Sequence, residues 1–409
     1  MHVQTADPVS SRLLMFFTMK GITMKKTLVL LLSLLMVFLM VPVLPEAVYA
    51  EDAPARGIAN VQHFPNAVEL PELDMRGTPA ITRVMGSNRY ETSLEVAKEL
   101  LKLGAKFDAV IISTGDAFPD ALAGSALSVA AGAPILLISP KVPSTVDAVI
   151  DFIKTNLEPD CVVFILGGTG AVPSTVESKL TGMGFTDLTL MSPEDETSRY
   201  FYRLAGKDRY ETNLMVLELL RNATGIHELM FCDGTNWPDA ATASAVGLPM
   251  MLLPKAGPTA EQIKLLDQIG AGKFYVDIIG GTGAVSDAVL NMLAPYCQEG
   301  PDAVWRIAGA NRAETAAEVA RMYFLEGGED PSITVDGFTF AYGANFPDTI
   351  SGGLLAHVLK YPILYGDSKV PAPYLTANAA IIAKTNPSAA YVLGGPTLVS
   401  DDFISSLYN

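Results

Sequence analysis

The ten-residue segment from Arg83 to Thr92, R-V-M-G-S-N-R-Y-E-T, returns at Arg203–Thr212 and Arg306–Thr315 in the shared form R-x-x-G-x-[N/D]-R-x-E-T. Each copy is followed by G-x-x-[F/W]-P-D, at Gly115–Asp120, Gly234–Asp239 and Gly343–Asp348. After a further apolar run each unit closes on a Gly-Gly turn: Gly167-Gly168, Gly280-Gly281 and Gly394-Gly395. Three elements in fixed order, three times, constrain the chain to a tandem array. Function is then to be sought in what the copies share.

The repeats run over residues 79–191, 200–298 and 303–409, each the size of a small domain. The joins, Ser192–Ser198 and Gln298–Asp302, are short and polar, so the units are expected to pack together. Residues 51–78 are rich in Pro, Ala and Glu without a period and read as a linker. Residues 1–50 have the layout of a secretory signal peptide: Lys25 and Lys26, an apolar run from Leu28 to Val43, and Val48-Tyr49-Ala50 before Glu51. Met24 directly precedes the lysines, so residues 1–23 read as a mis-called start. The run is long enough for a membrane anchor, but it lacks a positive stop-transfer flank. No stable membrane insertion is expected after cleavage.

Within a unit, unbroken apolar runs alternate with helical patterns. A strand carries the first Arg, and a capped helix runs from Asn88 to near Gly104. Strands follow at Ala109–Ser113, Pro134–Ile138 and Cys161–Leu166. A small-residue helix over 119–131, one from Ser144 to Thr155 and one starting near Ser174 lie between and after them. That alternation predicts α/β units with parallel sheets covered on both faces, layered as in flavodoxin-like and Rossmann-like folds. Pro119 to Pro134 and Pro347 to Pro362 each span fifteen positions, whereas Pro238 to Pro249 spans eleven. The loss of about one helical turn keeps the register, which supports a helix there.

The chain carries 28 Lys+Arg against 44 Asp+Glu, a formal charge of −16, and the part after the signal segment is more acidic still. Nucleic acid is excluded as a partner, since phosphate binding needs a basic surface. An anion held by locally placed arginines is not excluded. Three cysteines, Cys161, Cys232 and Cys297, have no metal spacing and read as free buried thiols. No cofactor is expected.

The two arginines of each unit flank a strand-to-helix turn and are expected to converge on one anionic group, aided by the helix N-terminus. The competing reading pairs Arg89 with Glu91 or Asp120 of its own unit. Glu91, Glu211 and Glu314 fit reciprocal capping with Asn88, Asp208 and Asn311 three residues earlier. The aromatic of G-x-x-[F/W]-P-D either stacks on a sugar or plugs the gap between repeats, with plugging favoured. The Gly-rich turn suggests a phosphate cradle but fits neither dinucleotide nor P-loop spacing. No nucleophile–base pair or paired-carboxylate site recurs, so catalysis is not expected.

Read together, the R-x-x-G-x-[N/D]-R-x-E-T, [F/W]-P-D and I-L-G-G segments resemble the clostridial cell wall-binding repeat 2 family. That family occurs in threes in surface-layer-associated proteins of Gram-positive bacteria. The resemblance implies a Toprim-like fold for each repeat, a pseudo-threefold ring, and non-covalent binding of an anionic cell-wall polysaccharide. It also implies a place at the cell wall, with surface-layer proteins as further partners. The binding set put forward is Arg83, Arg89 and Asp120; Arg203, Arg209, Trp237 and Asp239; Arg306, Arg312 and Asp348. Departures concentrate in repeat three. Ala313 stands for Tyr90 and Tyr210, Thr349 for Ala, and the Gly-Gly turn is altered, so this unit is least expected to hold a site. A surface-lattice protein and an enzyme acting on phosphate- or sugar-containing wall substrates are the competing classes.

Overall fold

A computed structural model describes residues 79–190, 199–326, 335–385 and 387–408. The signal segment, the linker and the whole of the first join lie outside these residues.

Unit one comprises β1 (Ala80–Val84), α1 (Arg89–Lys102), β2 (Phe107–Thr114), α2 (Pro119–Ala123), α3 (Ser125–Ala130), β3 (Ile135–Ile138), α4 (Pro143–Asn156), β4 (Leu157–Leu166), α5 (Thr175–Gly182) and β5 (Thr186–Asp187). Unit two comprises β6 (Arg199–Leu204), α6 (Arg209–Thr224), β7 (Glu228–Asp233), α7 (Pro238–Thr242), β8 (Met250–Leu253), α8 (Ala260–Ile269), β9 (Tyr275–Ile279) and α9 (Asp287–Leu293). Unit three comprises β10 (Trp305–Ile307), α10 (Arg312–Ala320), β11 (Gly337–Tyr342), α11 (Pro347–Leu359), β12 (Ile363–Gly366), α12 (Ala372–Thr385), β13 (Ala389–Leu393) and α13 (Asp401–Leu407).

The strands assemble into three parallel sheets, ordered β3-β2-β4-β6-β5, β8-β7-β9-β10 and β12-β11-β13-β1. The opening strand of each sequence repeat therefore lies in the sheet of the preceding unit, not in its own. β6 pairs with β4 and β10 with β9. β1, the first strand of the array, pairs with β13, the last, through Ala80↔Ala389 to Val84↔Leu393. This exchange closes the three units into a ring. It also displaces the sequence reading, which had kept the first arginine strand inside its own repeat.

The central strands are apolar on both faces because helices cover both: Ile111, Ile112, Leu136, Leu137, Ile165 and Leu166 are fully buried. One continuous core links units one and three and enters unit two, whose outer half holds a second cluster around Leu217, Phe231 and Ile278. The helix expected over 119–131 breaks at Gly124. A Cβ there would lie 2.4 Å from Leu166 Cδ1, so helix and strand approach too closely for a side chain. In unit two the same element shrinks to α7 plus a 3₁₀ turn, Ala243–Ala245, as the proline spacing predicted. In unit three it is the unbroken α11. Cys161, Cys232 and Cys297 are free and buried, as expected. Among the described residues, no helix is long and apolar enough to cross a membrane.

Candidate functional site

The arginine turn is held by its own side chains. Asn88 accepts hydrogen bonds from the Tyr90 and Glu91 amides at 3.0 and 3.1 Å, and Glu91 accepts from the Ser87 amide at 2.9 Å. Asp208 with Glu211 and Asn311 with Glu314 repeat the arrangement. The glutamates do cap the turn, but each accepts from the amide of the residue before the N-cap and not from the N-cap amide that reciprocal capping predicts. A Cβ on Gly86, Gly206 or Gly309 would lie 2.3, 2.4 or 2.1 Å from the Cβ of that glutamate, which explains the glycine of the motif. The closing threonines, Thr92, Thr212 and Thr315, each accept from the same glycine's amide at 3.1 Å.

The two arginines part company. Arg83 donates to the Gly394 and Val399 carbonyls, each at 2.8 Å, and to Asp401. Arg203 donates to Gly167 O at 2.6 Å and to Glu177 at 2.7 Å. Arg306 donates to Gly280 O and Val285 O at 3.0 and 2.8 Å, and to Asp287 at 3.0 Å. Each first arginine thus clasps the Gly-Gly turn of the preceding unit, beside the strand that its own unit donates there.

Arg89, Arg209 and Arg312 behave differently. Each donates one hydrogen bond, from Nη1 to the carbonyl of Gly115, Gly234 or Gly343, at 2.8, 2.7 and 2.6 Å. Each guanidinium then lies over the aromatic of the preceding unit: Arg89 over Phe346 at 5.8 Å, Arg209 over Phe118 and Arg312 over Trp237 at 5.5 Å. The two arginines of a unit share no acceptor, so the expected convergence on one group is not what the turn builds.

The aspartates face the same inner arginines across the unit boundary. Asp120 opposes Arg209, Asp239 opposes Arg312, and Asp348 opposes Arg89, with no ion pair closed at contact distance among the described residues. Arg89 therefore pairs with neither Glu91 nor Asp120; its carboxylate comes from unit three. Burial pushes all three aspartates up. Hydrogen bonds from Thr212 and Thr315 moderate Asp120 and Asp239. Asp348 is opposed only by the charge of Arg89 and reaches about 6.

Gly167, Gly280 and Gly394 sit at φ +106°, +108° and +91°, in the region that favours glycine. A Cβ on each would lie 2.5, 2.7 and 2.5 Å from Oδ2 of Asp120, Asp239 and Asp348. The Gly-Gly turn therefore gives room to the aspartate and offers a carbonyl to the first arginine. All three shared elements meet at one junction, which occurs three times at the carboxyl edge of the strands.

The aromatics plug the centre, as favoured from the sequence. The Phe346 ring lies 6.2 Å from Phe118 and 6.3 Å from Trp237, both edge-on. Tyr365, fully buried, meets Trp237 at 6.1 Å and donates to Pro238 O at 2.6 Å.

Sequence reasoning missed the residues beside the inner arginines. In unit one Tyr90 packs on Gly115 and donates to Asp116, which also accepts from Ser139 at 3.0 Å. In unit two Tyr210 packs on Gly234, and Lys255 bridges Asp233 at 2.7 Å and Gly283 O at 2.6 Å. In unit three Ala313 has no ring to offer, and Tyr374 from α12 packs on Gly343 instead. An open cleft of about 470 Å³ results, lined by Asn311, Arg312, Ala344, Asp367, Val370 and Tyr374 among others. The absence of the motif tyrosine at position 313 was the one sequence signal for it.

The family model for Cell wall binding domain 2 (CWB2) matches three segments, residues 83–177, 203–290 and 306–404, each starting at a first arginine. The N-acetylmuramoyl-L-alanine amidase LytC of Bacillus subtilis (strain 168) is 25% identical over 336 residues, 81% of this chain and 58% of that protein. The Amidase enhancer of the same organism is 26% identical over 227 residues, 54% of this chain and 27% of that protein. The solved structure of Cwp8 from Clostridium difficile shares the fold with a TM-score of 0.63 at 24% identity, over 82% of this chain and 52% of that one. Cwp6 from Clostridium difficile does so with a TM-score of 0.66 at 21% identity, over 84% and 50%. This chain thus spans at most 58% of the length of any of the four. With three consecutive matches carried by one closed ring of parallel sheets, the chain belongs to the Cell wall binding domain 2 family.

Proposed function

We propose that this protein attaches non-covalently to an anionic polysaccharide of the cell wall, without catalysis. The observation that carries this reading is the state of Arg89, Arg209 and Arg312. Each spends a single Nη1 donor on a backbone carbonyl and meets its carboxylate only at a distance. Most of a five-donor fork stays available to a phosphate or carboxylate. Three such groups repeat at one edge of a rigid frame within a chain of formal charge −16. Net charge alone repels an anionic polymer, so affinity is local and multivalent. In this reading Arg83, Arg203 and Arg306 hold the frame, Asp120, Asp239 and Asp348 orient the inner arginines, and Trp237 supports Arg312.

LytC is named as an amidase, but the likeness covers only part of that protein. We assign this chain the wall-binding part and not the reaction. Its place is then at the cell wall, where surface-layer proteins are its neighbours. Co-sedimentation with purified walls tests the reading. Binding should fall with rising salt and disappear from walls stripped of anionic polymer; salt-independent binding to stripped walls contradicts it.

A further inference from the structure

Ala313 and Ala344 remove from unit three two groups that fill the corresponding space in unit one, the Tyr90 ring and the Asp116 carboxylate. Ser139, which bonds that carboxylate, has Asp367 as its counterpart, each directly following the edge strand of its sheet. The acid has moved from one wall to the other and the tyrosine from α1 to α12, which leaves the space between them open. Unit three, the poorest match to the repeat, thus carries an open cleft at this position.

The lining is mixed in a specific way. Arg312 contributes a guanidinium with one donor spent on Gly343 O at 2.6 Å. Asp367, itself 6% exposed, accepts from the Lys369 amide at 2.8 Å through Oδ1. Tyr374, Pro373 and Val370 add an aromatic and apolar wall, and Val370 is an unusually exposed aliphatic at 59%. A cation, an acid and an apolar wall around about 470 Å³ lie within the range of small-ligand pockets, roughly 300–1,000 Å³. A purely ionic group would leave the apolar wall unused, and an apolar ligand would strand the charges. A sugar ring with an anionic substituent uses both.

We propose that the unit-three cleft is a subsite for one anionic sugar unit, a sugar phosphate or a uronic acid. Arg312 takes the anion, Asp367 accepts from a ring hydroxyl, and the sugar face lies on Tyr374 and Val370. This rests on the reading that the inner-arginine edge meets the wall polymer, and it makes the three units unequal. Unit three selects the sugar, and units one and two add charge contacts alone.

Amide NMR titration of the whole chain with α-glucose 1-phosphate, glucuronate and uncharged methyl glucoside tests it. Perturbations should cluster at Asn311, Ala344 and residues 367–374, with the preferred charged probe identifying the anionic group. Ala344→Asp, which places a carboxylate opposite the ligand's charge and beside buried Asp367, should weaken the preferred probe by about tenfold and also lower the melting temperature. Val370→Asp, on the exposed rim, repeats that test without touching the turn. Absence of perturbation at tens of millimolar probe, equal perturbation around Asn88 and Asp208, or methyl glucoside binding as well as the charged probes would overturn the subsite. Retained arginine-dependent wall sedimentation would show in those cases that the general wall-binding reading survives; its loss from the unmodified chain would remove both.

Discussion

Arg203 and Arg209 lie six residues apart and put the same guanidinium to opposite uses. Arg203 loses two charge-assisted hydrogen bonds on truncation, to Gly167 O and Glu177, from a part-buried site. Arg209 loses one, to Gly234 O, and its place over Phe118. With charged hydrogen bonds contributing about 1.5–3 kcal/mol each, Arg203→Ala should destabilise about twice as much as Arg209→Ala. Wall retention should show the reverse order. Calorimetry beside sedimentation decides it, and equal effects of both changes on both readouts would contradict the division of roles. Asp348 gives a pH test of the same junction. Its carboxyl, near 6, lies above the ordinary value because burial disfavours the charge. A raised carboxyl favours folding at acid pH, and that contribution is lost as pH climbs from about 4 through about 6. Asp348→Asn should therefore stabilise the fold at pH 8 by on the order of 2 kcal/mol, read as a higher melting temperature, and change it much less at pH 4.5. A variant that melts lower at pH 8 would show that the charge is stabilising there.

At the scale of elements, the strands, the cap at Asn88 and the shortened helix of unit two were legible, because each is set by local rules of burial and backbone conformation. What the sequence hid was partnership between units. Nothing in Arg83 announces that its carbonyls belong to Gly394 and Val399, more than three hundred residues away, nor in Asp120 that its cation is Arg209. A repeat motif records that the same contact is made three times, but not whether it is made within a copy or to the next one. The glycines carried that information indirectly: Gly394 is glycine because Asp348 presses on it. The donated strand has a direct consequence. Without β1, the sheet of unit three keeps β12, β11 and β13 and exposes the β13 edge. A chain truncated before Met85 should melt lower by about 5 °C or more and self-associate through that edge, read by calorimetry and light scattering. A monomer with the parent's melting temperature would show that ring closure contributes little.

At the scale of the molecule, strand exchange makes one frame of three units, because every sheet needs a strand from the neighbouring unit. The inner arginines are fixed relative to one another by the core that also holds α11 against α3 and the 3₁₀ turn of unit two. His357 on α11 sits 2.9 Å from Ala245 O, and a Cβ on Gly353 would lie 2.6 Å from Ser244 Oγ, so there is no slack at this contact. On such a frame the loss of one site lowers avidity modestly, and the loss of all three removes it, because the remaining contacts no longer share an effective concentration. The decisive measurement is sedimentation with native walls of the parent, the Arg89→Ala single variant and the triple variant Arg89→Ala, Arg209→Ala, Arg312→Ala, each checked for a cooperative melt. The predicted result is a few-fold loss of retention for the single change and near-complete release for the folded triple variant. A folded triple variant retained on the wall like the parent would contradict the assignment of these arginines as the wall-binding groups.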